Sequence, residues 1–248
     1  MILCIDCGNT RLKWACYAAS GEMLRSGNLA HDALGELGAL AHHLPEPERI
    51  LLANVAGAQI GQQIRAALGA WASCLEEVHS TAQAGGVTNL YENPSRLGVD
   101  RWCALIGARS LVRNACLVVM AGTATTIDLL DAEGCFLGGC ILPGMGAMRA
   151  ALATGTAHLP LAEGRLVSMP RNTHDAISSG ILHAQLGAIE RMYATLPCPS
   201  GNDKTCLISG GYADGLGGAL VIPARLVENL PLLGLKALGL PADPGIAH

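Results

Sequence analysis

MILCIDCGNTRLKWACY, residues 1–17, is the stretch on which the reading of the fold turns. Residues 1–6 form an apolar strand, Gly8-Asn9-Thr10 a turn, and residues 11–19 the returning strand of a hairpin. Plain turn residues would close such a hairpin. This one adds a carboxylate, Asp6, near the end of its first strand, a hydroxyl, Thr10, in the turn, and Lys13 on the way back. A glycine turn lets phosphate oxygens approach backbone N–H groups, and a threonine hydroxyl adds a donor without adding charge. Asp6 would hold Mg²⁺ through oxygen ligands, by way of water, and Lys13 would reach a terminal phosphate. Taken alone, an Asp-x-Gly-Asn hairpin is usually only a hairpin.

Working outward, residues 22–29 read as a third strand, 32–44 as a helix ended before Pro45, and 50–55 as a strand. Residues 58–72 have helical spacing, with Ile60, Ile64, Ala67, Leu68 and Trp71 on one face, and a strand follows at 74–78. A loop containing Gly, Asn and Pro spans 84–97, and VDRWCALIGARSLV (99–112) is strongly helical. The pattern then restarts. An apolar strand at 116–121 leads into the small-residue turn Ala121-Gly122-Thr123-Ala124-Thr125, and strands follow at 126–130 and 135–142, the last stopped by Pro143-Gly144. Helices near 146–153 and 174–195, a strand at 207–209 ended by Gly210-Gly211, and a mixed, helical tail at 224–238 complete the chain. The two opening turns look like relatives. Duplication of this kind would set two Gly/Thr hairpins face to face across a cleft. The expectation is an α/β protein of two lobes, about 1–114 and 115–248.

Composition narrows the function. A chain of 248 residues, half of them hydrophobic, can bury a large core and is not disordered. A net charge of −4 with 15% charged residues lacks the basic footprint of a nucleic-acid binder. No apolar run reaches the roughly eighteen residues needed to cross a membrane, and the first strand lacks the marks of a signal peptide. The ten cysteines lie mostly in apolar runs, as at Cys116 and Cys206, with no C-x-x-C pair and no zinc spacing. They read as buried reduced thiols of a cytoplasmic protein. No segment fits a P-loop. The nearest dinucleotide fingerprint, Gly144-Met145-Gly146-Ala147-Met148-Arg149, has Arg where the third Gly belongs. Met145 and Met148 read as core fillers, and Arg149 as a residue either of the cleft or of a surface pair. His174 and Asp175 read as helix caps, and Thr173 could both cap and bind.

Five segments, in order, resemble the type III pantothenate kinases of the actin/hexokinase/Hsp70-like superfamily. They are MILCIDCGNTRLKW; Gly98-Val99-Asp100-Arg101; AGTATTID (121–128) with GGCILPGMGAMRAAL (138–152); Asn172-Thr173-His174-Asp175-Ala176-Ile177 with Gly180; and SGGYAD (209–214). The resemblance implies two actin-like (ribonuclease H-like) lobes that phosphorylate pantothenate with ATP, the first step toward coenzyme A. It assigns Asp6 to metal and phosphates, and Gly8, Asn9, Thr10, Arg11, Lys13 and Thr123 to the ATP phosphate path. It makes Asp100 the proton acceptor for the pantothenate hydroxyl. Gly98, Val99 and Arg101 line the pantothenate pocket, and Tyr91 and Thr173 contact that substrate. SGGYAD would accept the adenosine. A homodimer is implied, and the helical segments 99–112 and 174–195 are the candidates for its interface.

One position departs from the resemblance. Relatives often carry an Asp before the second A-G-T that helps to hold K⁺ or NH₄⁺, and Met120 stands there in this chain. A thioether offers no hard oxygen ligand, so weaker dependence on a monovalent cation is expected. Two other readings compete with the kinase assignment: a phosphotransferase of the same superfamily acting on a sugar or carboxylate, and a non-catalytic accessory or regulatory protein that keeps the fold. The first leaves G-V-D-R and N-T-H-D-A-I without a purpose, and the second leaves Asp6, Lys13 and Asp100 intact for no reason.

Overall fold

The computed structural model describes residues 1–155, 164–198 and 204–240, so the expected end of the second lobe beyond 240 lies outside the described residues. The chain divides into two compact units: Met1–Val112 together with the segment that begins at Asn229, and Arg113–Glu228.

In the first unit β1 (Ile2–Cys7), β2 (Arg11–Tyr17), β3 (Met23–Ala30), β4 (Arg49–Asn54) and β5 (Leu75–Glu77) form a sheet in the order β3-β2-β1-β4-β5. The β1–β2 and β2–β3 pairs are antiparallel, and β1–β4 and β4–β5 are parallel. Successive side chains of a strand point to opposite faces. Leu3, Ile5, Leu12, Trp14 and Cys16 therefore pack on one face, with Leu34, Leu37, Ile64, Leu68 and Trp71. Ile2, Cys4, Ala15 and Tyr17 pack on the other, with Cys103, Leu232 and Leu235. Asp6 and Lys13 follow the phase of this second set and stand opposite each other in the β1–β2 register.

Helix α1 (Ala58–Leu68) is shorter than the expected 58–72, because Gly69 turns to φ 57° and the chain goes on as a 3₁₀ turn, Gly69–Cys74. The stretch expected as a helix at 32–44 is 3₁₀ over His31–His42, with Gly35 and Gly38 weakening any α-helix there. The expected loop at 84–97 contains a small hairpin, β6 (Gln83–Ala84) and β7 (Val87–Asn89). Gly85 and Gly86, at φ 56° and 75°, supply the positive dihedrals that a two-residue hairpin turn favours.

Helix α2 (Val99–Leu111) is buried from Arg101 to Ala108. Across it lies α6 (Leu230–Gly239), and the two backbones approach so closely that only glycine fits. A Cβ on Gly107 would strike the Leu230 carbonyl, and one on Gly234 the Cys103 carbonyl. This crossing returns 229–240 to the first unit, whereas the sequence reading gave that segment to the second lobe. It also packs α6 against the helix of 99–112 within the same unit. Burying Leu230, Leu232 and Leu235 contributes on the order of 5 kcal/mol to that docking.

The second unit repeats the plan. Its strands β8 (Ala115–Ala121), β9 (Ala124–Leu130), β10 (Cys135–Pro143), β11 (Lys204–Ser209) and β12 (Ala224–Leu226) run in the order β10-β9-β8-β11-β12. Again the first three are antiparallel and the last two pairs parallel. Helices α3 (Met145–Gly155), α4 (Thr173–Thr195) and α5 (Ala213–Gly217) accompany them. Leu182, Leu186 and Ile189 of α4 pack on Leu117, Val119, Ile127 and Ile208. The shared strand order is the physical trace of the duplication read from the two turns.

Candidate active site

The β1–β2 register sets Lys13 beside Asp6 at the open end of the sheet, on the face covered by α2 and α6. Opposed side chains of such a pair lie about 5 Å apart at Cβ, within mutual electrostatic reach. Asp6 is half-buried as a residue, but its Oδ1 is shut away from solvent and accepts no hydrogen bond. Burial pushes the Asp6 carboxyl up from 3.8 to about 7, the negative charge of Asp100 pushes the same way, and Lys13 opposes both. A buried acceptor without a donor is costly, so this oxygen is arranged for something the protein itself does not supply.

Asp100 stands in the first turn of α2, behind the N-cap Gly98. Its Oδ1 accepts the Arg101 N–H at 2.8 Å. A Cβ on Gly98 would come within 2.7 Å of that oxygen, which explains why glycine precedes Val99 here. One turn on, burial drives the Cys103 thiol well above its ordinary value, with Asp6 and Asp100 adding to the effect, so Cys103 is a packing residue.

Arg101 is only 4% exposed. Its guanidinium lies over the Tyr91 ring, 5.7 Å from the centroid, and donates to the Tyr91 hydroxyl at 3.3 Å. Tyr91 is held in turn by Asn89, which sequence reasoning passed over as an ordinary loop residue. The buried Asn89 side chain donates to the carbonyls of Thr81 and Pro94, both at 3.2 Å, and accepts the Tyr91 N–H at 3.1 Å. Its only signal in the sequence is a side chain able to do all three in a segment rich in turn residues.

Gly8 is half-buried, whereas Asn9, Thr10 and Arg11 are exposed. The Gly8 N–H donates to the Arg11 carbonyl at 3.1 Å, and Arg11 Nη1 donates to Asn28 Oδ1 at 2.9 Å.

Thr123 and Thr173 belong to the second unit. The Gly122-Thr123 turn joins β8 to β9, and the Gly144 N–H donates to the Thr123 carbonyl at 3.0 Å. A Cβ on Gly144 would strike the carbonyls of Gly122 and Thr123. Gly210, at φ 111°, lies equally close to the Ala121 carbonyl, which accepts the Tyr212 N–H at 3.1 Å. The A-G-T and S-G-G-Y segments are thus brought together within one unit, along with Tyr212, whose hydroxyl lies against Gly146. Thr173 is exposed at the start of α4. The cap there is Asn172, whose Oδ1 accepts the Asp175 N–H at 2.9 Å, rather than His174. Asp175 anchors the preceding segment by accepting the Arg165 N–H at 2.7 Å. That bond and the one from Asn172 hold its carboxyl below the usual range.

The side chain at position 120 carries no oxygen. Met120 pairs across the sheet with Thr126, whose buried hydroxyl has no partner. Among the described residues no group of three His, Cys, Asp or Glu side chains could hold a metal by itself, and no helix is long and apolar enough to cross a membrane.

Residues 2–195 match the family described as type III pantothenate kinase. A type III pantothenate kinase of Dechloromonas aromatica (strain RCB) is 53% identical over 240 residues, covering 97% of this chain and 99% of that protein. Among solved structures, a conserved putative Baf family transcriptional activator from Campylobacter jejuni covers 95% of this chain and 96% of its own, at TM-score 0.60 and 20% identity. A putative 2-dehydro-3-deoxygalactonokinase from Sinorhizobium meliloti covers 96% and 97%, at TM-score 0.58 and 14% identity. At these identities the two solved structures show the fold alone.

Proposed function

This chain belongs to the type III pantothenate kinase family and phosphorylates pantothenate in coenzyme A biosynthesis, and we propose that Asp100 takes the hydroxyl proton while Asp6 and Lys13 order the phosphates. The observation that carries this reading is Asp6 Oδ1, a buried oxygen with no donor, on a carboxyl raised to about 7. Such a group fits Mg²⁺, reached directly or through water, and Asp6 is the residue that would hold it. When bound with ATP, the cation would neutralise charge on the phosphates.

The chain's own residues account for the rest. Phosphoryl transfer passes through a loose transition state, so catalysis is mostly positioning and charge neutralisation. Asp100 Oδ1 is engaged by the Arg101 N–H, which leaves Oδ2 to orient the pantothenate hydroxyl. The hydroxyl oxygen bonds to the γ-phosphorus as the bond to the β–γ bridging oxygen breaks and ADP leaves. An alcohol is too weak an acid to be ionised beforehand, so its proton passes to Asp100 late. Lys13 meets the negative charge of the phosphates, and Gly8, Asn9, Thr10, Arg11 and Thr123 offer N–H, hydroxyl and guanidinium donors. Gly98, Val99, Arg101, Tyr91 and Thr173 receive pantothenate. Arg101 and the N-terminus of α2 favour the substrate's carboxylate.

Met120 does not fit a monovalent-cation site that depends on a side-chain oxygen, and no step here uses one. A homodimer through α4 is supported by an exposed row of small residues, Ala176, Gly180, Ala184 and Gly187, where a second helix could approach closely. That none of the ten cysteines forms a disulfide favours a cytoplasmic setting. The direct test follows ADP release from ATP on adding pantothenate. Release that depends on pantothenate supports the proposal, and equal release with sugars or with no acceptor sinks it.

A further inference from the structure

We propose that His31 is a positioning residue for the phosphate-facing turn: its ring N–H holds the Gly8 carbonyl and so aims the Asn9 N–H at the ATP phosphates. The inference rests on the reading of Gly8–Lys13 as part of the ATP site.

Register brings His31 to the turn. The β2–β3 pairing ends at Arg11 opposite Ala30, so the next residue, His31, lies alongside the hairpin tip as the chain enters its 3₁₀ segment. Its Nε2 is 3.0 Å from the Gly8 carbonyl oxygen. A carbonyl can only accept, so Nε2 carries the hydrogen. Cys7 Sγ, fully buried, lies 3.9 Å from the same nitrogen and closes that side of the ring.

The turn needs a brace from outside. Two-residue hairpin turns matched to strand twist have positive φ at one or both central residues. Among the described residues Asn229 is the one non-glycine with positive φ, so neither Asn9 nor Thr10 adopts that geometry. Backbone pairing ties the Gly8 N–H to Arg11, and His31 ties the carbonyl of the same residue. The Gly8–Asn9 peptide is planar and trans, so its C=O and N–H point in opposite directions. Pinning the oxygen against His31 therefore directs the Asn9 N–H to the open side of the turn, where Asn9 and Thr10 are exposed. With no such brace this peptide could rotate and present its oxygen to the phosphates, which would repel them.

The test compares His31→Ala, His31→Leu and His31→Gln with Lys13→Ala in steady-state kinetics, varying ATP and pantothenate separately and recording melting temperatures. His31→Ala and His31→Leu should each raise KM for ATP about fivefold, the worth of one neutral hydrogen bond, with KM for pantothenate unchanged. His31→Gln, whose carboxamide N–H can reach the carbonyl, should return to within about twofold of wild type. His31→Leu fills the space without a donor, so it carries the test if the alanine variant does not fold. An unchanged KM for ATP in His31→Leu, or equal losses for both substrates with no rescue by Gln, overturns the inference. Lys13→Ala separates the two levels. If it raises KM for ATP while the His31 variants do not, the brace alone is wrong. If it leaves KM for ATP untouched, the ATP assignment of the turn fails and takes the brace with it.

Discussion

Replacing Asp6 by Asn should make the ligand-free protein more stable above pH 7 while removing most of its turnover. Burial and the charge of Asp100 raise the Asp6 carboxyl from 3.8 to about 7, so the folded state binds this proton more tightly than the unfolded chain does. The associated stability is fully present below about pH 4, falls as pH rises, and is lost above about pH 7. A rise of that size corresponds to on the order of 4 kcal/mol at pH 8, an upper bound because water entry and side-chain relaxation relieve a buried charge. If half survives, the ~2 kcal/mol converts to about 4–8 °C in melting temperature for a chain of this length. Asn cannot ionise and lacks this slope. The assay is thermal unfolding of both proteins from pH 5 to pH 8.5, without nucleotide or divalent cation. The advantage of Asp6→Asn should be small at pH 5 and grow toward pH 8. Parallel stability curves would falsify the claim that a strained, unpartnered carboxylate sits at the end of β1. The combination of lost turnover and gained stability separates a functional carboxylate from a structural one, because a structural carboxylate would lose stability when replaced.

Three further outcomes follow from the same geometry. Asp100→Asn keeps the bond from the Arg101 N–H but loses the proposed proton acceptor, so kcat should fall about 10²- to 10⁴-fold, with ATP affinity from equilibrium titration unchanged. Asn89→Ala removes three hydrogen bonds that hold the loop around Tyr91; KM for pantothenate should rise about tenfold or more while KM for ATP stays put, and equal effects on both would refute the positioning role. With Met120 in place, rates in K⁺ and in Na⁺ should agree within about twofold, whereas Met120→Asp sets a carboxylate opposite the unpartnered Thr126 hydroxyl and should introduce a preference for K⁺.

Much of the fold was legible because its signals are local. The alternation in residues 1–17 fixes which side chains share a face, and so places Asp6 and Lys13 together before any tertiary contact is considered. The restart at 116 announced the second sheet, whose strand order repeats the first. What escaped depends on contacts between distant segments. Nothing local in 230–239 says that Gly234 will meet Cys103, yet the Gly107–Gly234 crossing decides which unit owns that helix. The Gly85-Gly86 hairpin was legible in principle, since paired glycines are a primed-turn signal, but a segment of mixed turn residues hid strands only two and three residues long.

The two related turns show where duplication of sequence stops being duplication of structure. In the second unit, glycine supports the turn: Gly144 and Gly210 come so near the carbonyls of residues 121–123 that any side chain would collide, so backbone holds backbone. Among the described residues of the first unit no glycine does this. An imidazole from the end of β3 reaches the Gly8 carbonyl, and Cys7 closes the space beside it. The first arrangement is rigid but intolerant, because Gly144→Ala puts a methyl into two carbonyl oxygens and should displace the turn outright. The second is adjustable, because any side chain that brings a donor to the same point can replace His31. Sequence reading recognised both turns by their glycines and threonines, the residues proposed to face phosphate. It missed the supports because one is the absence of a side chain and the other is a histidine with nothing in its neighbourhood of the sequence to mark it.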